Sequence, residues 1–122
     1  MMAEQEITIE HVHKALEQFA DAVRRHYGPR LSDIMLFGSR ARGDDGPDSD
    51  ADVVVVLEDG DWRFWHEKIE LAGLAYEPLI EHGLAIQPWP VSRSEWEAPA
   101  RHRNPYFVET IKNDARHFAE AA

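Results

Sequence analysis

No cysteine occurs in the 122 residues. That excludes a disulfide scaffold, an iron–sulfur site and a thiolate nucleophile. Long apolar runs are missing too: the longest, Val53 to Leu57, falls far short of a membrane span. The first residues, Met1 to Glu6, carry acids and no apolar stretch. A secretory leader is therefore not expected, and the cytoplasm is the expected location. Basic residues are few: 13 Lys and Arg stand against 23 Asp and Glu, a formal net charge of −10. Such a chain is repelled by phosphate backbones at long range, which disfavours nucleic acid as a direct partner. Repeats and low-complexity segments are absent. What is there is 43% hydrophobic and 30% charged, the composition of an ordinary globular domain. The length suits one domain over residues 1–122, with a core that buries roughly two-thirds of the unfolded surface.

Periodicity places the elements. Ile9, Val12, Leu16, Phe19, Val23 and Tyr27 recur at steps of three and four. This is one helical stripe, which Thr8 can cap and Gly28-Pro29 ends. Leu31 to Phe37, bounded by Pro29 and Gly38, reads as a strand. Gly38 to Asp48 holds Gly38, Gly43, Gly46 and Pro47 and reads as a loop, with room for a short helix around Arg40 to Arg42. Ala51 to Leu57 is a second strand, and its continuous valines suit one covered on both faces. After the turn at Asp59-Gly60, Trp62, Trp65, Ile69, Ala72, Tyr76 and Leu79 trace a second amphipathic helix. It closes at His82-Gly83, and Pro78 disturbs its last turn. Trp62, Trp65 and Trp96 are expected in the core, and Phe64, off the stripe, is expected at the surface.

Leu84 to Val91 is a third strand, whose prolines demote its end to an edge or an exit. Ser92 or Ser94 can cap a short helix. Asn104-Pro105 opens a last one, with Phe107, Ile111 and Phe118 on its apolar side. The loop between the first two strands is too short for a helical crossover, so they are expected to run antiparallel. The fold class is α+β, with a small mixed or antiparallel sheet flanked by helices.

The chemistry concentrates in Phe37-Gly38-Ser39-Arg40-Ala41-Arg42-Gly43 and Ser49-Asp50-Ala51-Asp52. A strand ends in Gly-Ser at a tight turn. Glycine lets a ligand approach the backbone, and turn amides with a serine hydroxyl suit an anion. Arg40 and Arg42 follow at once. Asp50 and Asp52 are two apart at a strand start, which places both carboxylates on one face. They repel unless a cation sits between them, and Mg²⁺ carrying a nucleotide triphosphate satisfies both halves of the site. The plain alternative stands beside this: a Gly-Ser turn alone carries no information, and Asp-x-Asp is common on surfaces. The histidines at 11, 13, 66, 82, 102 and 117 have no zinc spacing. Asp44, Asp45 and Asp48 read as solvated loop acids.

Gly38-Ser39, ten residues and then Asp50-x-Asp52 resembles the signature of the nucleotidyltransferase superfamily that includes DNA polymerase β. The fuller stretch, Gly38 to Gly43 with Ser49 to Asp52, resembles its minimal nucleotidyltransferase members. The likeness is specific over Ile34 to Leu57 and looser over Arg63 to Ala119. It implies the polymerase-β-like fold, with Gly38 and Ser39 on the triphosphate of ATP, joined by Arg40 and Arg42, and catalytic Mg²⁺ on Asp50 and Asp52. It implies transfer of AMP to a hydroxyl with release of pyrophosphate. Minimal members often pair, as antitoxins, with a HEPN-domain RNase toxin that they adenylylate on tyrosine. One departure is visible: the superfamily's third carboxylate would fall where this chain has Gln87, an amide that cannot act as a base. The competing expectation is therefore a binding module of the same fold that neutralises its partner by contact.

Overall fold

The computed structural model describes residues 8–46 and 49–118. Met1 to Glu6, and Pro47 and Asp48 of the expected loop, lie outside them, as does Ala119. Helix α1 runs Ile9–Tyr27, capped by Thr8, whose hydroxyl accepts from the His11 amide. Gly28, at φ 55°, turns the chain out of it. Strand β1 is Leu31–Phe37, helix α2 Ser39–Arg42 and strand β2 Ala51–Leu57. Helices α3 (Phe64–Leu74) and α4 (Tyr76–His82) cross over to strand β3, Ile86–Ser92. Helices α5 (Arg93–Glu97) and α6 (Pro105–Asp114) complete the described fold.

The sheet is mixed, in the order β1-β2-β3. β1 and β2 run antiparallel, with Phe37 opposite Asp52. β2 and β3 run parallel, with Asp52 opposite Gln87. The central position of β2 explains its valines, since both its faces are covered. Ala51, Val53, Val55 and Leu57 pack with α1 residues such as Phe19 and Val23, and with Leu71 and Ala75. Val54 and Val56 pack on the other side with Met35, Val91 and Ile111 of α6. By alternation Asp52 belongs to this second side, at the end of the strand. Fully burying each valine or leucine is worth about 1.5–3 kcal/mol. After α6 the chain bonds back to β1: Leu36 and Arg116 exchange two backbone hydrogen bonds of 2.8 Å.

Two expectations need correction. The apolar stripe of α3–α4 does not face the core. Trp65, Ile69, Tyr76 and Leu79 are exposed, while Glu67, Leu71, Ala75 and Pro78 are buried. The inversion is possible because Glu67 finds partners inside: Tyr27 Oη donates to its Oε1 at 2.8 Å, and Arg30 lies 3.6 Å from Oε2. A hydrogen-bonded, charge-paired carboxylate tolerates burial that a lone one does not. Phe64 is half-buried where it was expected exposed, and Trp62 and Trp96 are half-buried too. The second correction concerns Phe118, which lies beyond α6 and packs against the α1 side of the sheet.

Candidate active site

The site begins at the end of β1. Gly38 takes φ 79° and ψ −158°, a conformation that L side chains rarely adopt. A Cβ built there would lie 2.5 Å from Asp52 Oδ2. The missing side chain is therefore the space in which the Asp52 carboxylate sits, and the Gly-Ser turn and the Asp-x-Asp pair are in direct contact. α2 follows as a single turn, its amides at Ala41 and Arg42 bonded back to the Gly38 carbonyl at 3.1 and 3.0 Å. Ser39, half-buried, opens that turn.

Asp50 precedes β2 and is exposed, whereas Asp52, within the strand, is half-buried. Burial, and then the charge of Asp50, push the Asp52 carboxyl above its ordinary range; Lys68 and Arg42 pull it back. Gln87 reaches the pair from β3, its Nε2 at 3.4 Å from Asp50 Oδ2. Its place opposite Asp52 in the register is the one where a third acid was looked for. Glu81 is exposed on α4, and Glu95 accepts from Ser92 Oγ at 2.9 Å. Among the described residues no group of three or more His, Asp or Glu converges as a metal cage.

The donor set still fits Mg²⁺. Two carboxylates stand at the start of one strand, the charge of Asp50 raises the cost of ionising Asp52, and the Gln87 side-chain amide lies beside Asp50. These are hard oxygen donors, and Mg²⁺ keeps its remaining positions for water and phosphate.

The two arginines sit differently from each other. Arg40 is tucked under the loop: its Nε donates to the Ser49 carbonyl at 2.9 Å and its Nη1 pairs with Asp45 at 3.3 Å. Arg42 is exposed and pairs with Asp44 at 3.2 Å and with Asp114 of α6 at 2.8 Å. Asp44 and Asp45 are thus arginine partners as well as loop acids.

Two further residues reach the site without any motif to announce them. Lys68 of α3 donates its ammonium to the Pro88 carbonyl on β3. The same ammonium lies 4.1 Å from the centre of the Trp89 ring. Burial pulls the Lys68 pKa down, and Asp52 opposes that shift. The one available signal was position: Lys68 borders the apolar stripe of its helix. Trp89 stands two residues after Gln87 on the same face of β3, with its ring edge toward Phe107 of α6 at 5.5 Å.

Comparisons with known proteins bear on the family and the fold. The family model described as Nucleotidyltransferase domain matches residues 16–120. A Methanocaldococcus jannaschii protein named "Putative protein adenylyltransferase" is 36% identical over 73 residues, which cover 60% of this chain and 66% of that protein. The match thus spans just under two-thirds of the relative's length. The CdnE cyclic dinucleotide synthase of Elizabethkingia meningoseptica, solved with GTP and Apcpp, superposes with a TM-score of 0.50. The identity is 19%, over 65% of this chain and 36% of that one, a likeness of fold. No helix among the described residues is long and apolar enough to cross a membrane.

Proposed function

This chain belongs to the nucleotidyltransferase domain family, and we propose that it transfers AMP from ATP, with Mg²⁺, to a hydroxyl of a partner protein. A tyrosine is the acceptor in this reading, and a HEPN-domain RNase toxin is the partner. The observation that carries the reading is the seat of Asp52 Oδ2 against Gly38, with Asp50 alongside. It joins an anion-tolerant backbone turn to a cation-demanding carboxylate pair. A protein acceptor is supported by the net charge of −10, which disfavours nucleic acid, and by the likeness to a relative named for protein adenylylation.

The residues divide the work. Gly38 makes room for the Asp52 carboxylate beside the turn, and Ser39 adds a hydroxyl donor for the polyphosphate. Asp50 and Asp52 would hold Mg²⁺, which when bound neutralises phosphate charge and relieves the repulsion within the pair. Lys68 contributes a fixed positive charge on the β3 side. The acceptor oxygen bonds to the α-phosphorus, and the bond from that phosphorus to its bridging oxygen breaks. Pyrophosphate leaves, and the hydroxyl proton is released to solvent, directly or by way of a site carboxylate; the Gln87 amide is no base.

Asp50→Asn with Asp52→Asn tests the assignment on the purified protein, its partner and α-labelled ATP. Label transfer is expected to vanish while the circular dichroism spectrum is unchanged. A double variant that still labels the partner overturns the assignment. A second reading rests on Gln87: a neutral amide opposite Asp52 suits a module that neutralises its partner by contact alone. That reading requires the same double variant to neutralise the partner in cells. Loss of neutralisation with the complex intact would exclude it.

A further inference from the structure

α3 and α4 present an apolar row to solvent. Trp65, Ile69, Tyr76 and Ile80 are 69%, 69%, 64% and 62% exposed. Trp65 and Ile69 on α3, and Tyr76 and Ile80 on α4, are each four apart, so each pair shares one face of its helix. Single exposed apolar side chains are ordinary, but a row along one face marks a surface that another molecule covers.

The borders of the row differ. On one side stand Glu70, Glu77 and Glu81, none of them buried. The one lysine of these two helices, Lys68, is turned away from them onto the Pro88 carbonyl. On the other side lies the candidate active site, reached through Lys68 and Trp89. Trp65 belongs both to the row and to a groove shared with Phe64, Trp89 and Phe107. An apolar surface therefore extends from Trp65 on α3 to Trp89 on β3, two residues past Gln87.

Charge decides what fits. An apolar row with an acidic border complements a helix whose apolar face is flanked by Lys or Arg. A second copy would bring acidic borders together, each chain carrying −10. An anionic bilayer would be repelled in the same way.

We propose that this row docks a helix of a partner protein, one with an apolar face flanked by basic residues, and so holds that partner's reactive hydroxyl beside Asp50 and Asp52. Only the last clause rests on the protein-acceptor reading; the docking needs no nucleotide.

The test uses the full chain and a fluorescent synthetic helical peptide with leucines on one face and lysines on the other. A matched peptide with glutamates in place of lysines is the control. The lysine peptide is expected to bind, more weakly as salt is added, and the glutamate peptide is not. Ile69→Glu with Ile80→Glu is expected to weaken binding at least about tenfold, at an unchanged melting temperature. Those glutamates add negative charge, so attraction by charge alone would strengthen binding and overturn the proposal. Equal binding of both peptides, or of neither, overturns it too. A dimer in sedimentation that the double variant dissolves would assign the row to a second copy and overturn it. So would row-dependent binding to phosphatidylcholine–phosphatidylglycerol vesicles. The titration with Mg²⁺ and ATP is read separately on the wild type and the same variant: its failure in both, while the wild type still binds the lysine peptide, removes the catalytic reading and leaves the docking surface.

Discussion

At Gly38 one hydrogen in place of a methyl group leaves room for the Asp52 carboxylate. Gly38→Ala would place its Cβ 2.5 Å from Asp52 Oδ2, at a φ of 79°. The backbone strain alone, in a region almost reserved to glycine, is about 1–3 kcal/mol, and the carboxylate has to move. The expected outcome is a folded protein that no longer binds ATP with Mg²⁺, checked by calorimetry beside a denaturant melt. Asp52 yields a second prediction, of the opposite sign for stability. Its folded-state pKa lies above the unfolded value, so its ionisation weakens the fold as pH rises through the carboxylate range. Without metal, Asp52→Asn should therefore melt higher than the wild type at neutral pH. The gap should close as pH falls below the ordinary carboxylate range, where the wild-type group is neutral in both states. Thermal melts across that range check it, and a variant that melts lower at neutral pH would contradict it. The Gly-Ser and Asp-x-Asp residues were legible in the sequence because each has a local chemical reason for its type. Lys68 and Trp89 were not, since only the packing of α3 on β3 brings them to Asp52.

At the scale of elements, punctuation made the strands readable. Pro29 and Gly38 bracket β1, and the valine run of β2 announces a strand buried on both faces. The antiparallel pairing followed from the short loop, and the prolines of β3 accord with its place at the edge of the sheet. The orientation of α3–α4 could not be read this way. Periodicity reports that a stripe exists and not which way it faces, and the buried side here is built around Glu67. That carboxylate ties α3 to α1 through Tyr27, whose phenol is pushed well above its ordinary pKa by burial and by Glu67 itself. Tyr27→Phe would leave the buried carboxylate short of a donor. A loss of about 1–3 kcal/mol of stability is expected, measured by urea denaturation. A change near zero would mean that Arg30 and water suffice for Glu67.

On the scale of the whole molecule, a three-stranded sheet sets the division of labour. One face is the core under α1, α3 and α4. The other is covered by α6 over Val54 and Val56 and carries Asp52 at its end. Opening the sheet at that end puts a β1 turn, a β2 carboxylate and a β3 amide side by side, which short-range sequence patterns cannot reveal. In the proposed reading, the net charge of −10 favours a basic protein partner over nucleic acid. The proposed transfer reaction depends on the Gly38–Asp52 junction being a metal–nucleotide site. Calorimetric titration of the wild type and Asp52→Asn with ATP, each with and without Mg²⁺, tests that most directly. The account predicts binding by the wild type only when Mg²⁺ is present, and none by Asp52→Asn. Binding that ignores the metal, or that survives in Asp52→Asn unchanged, would contradict it.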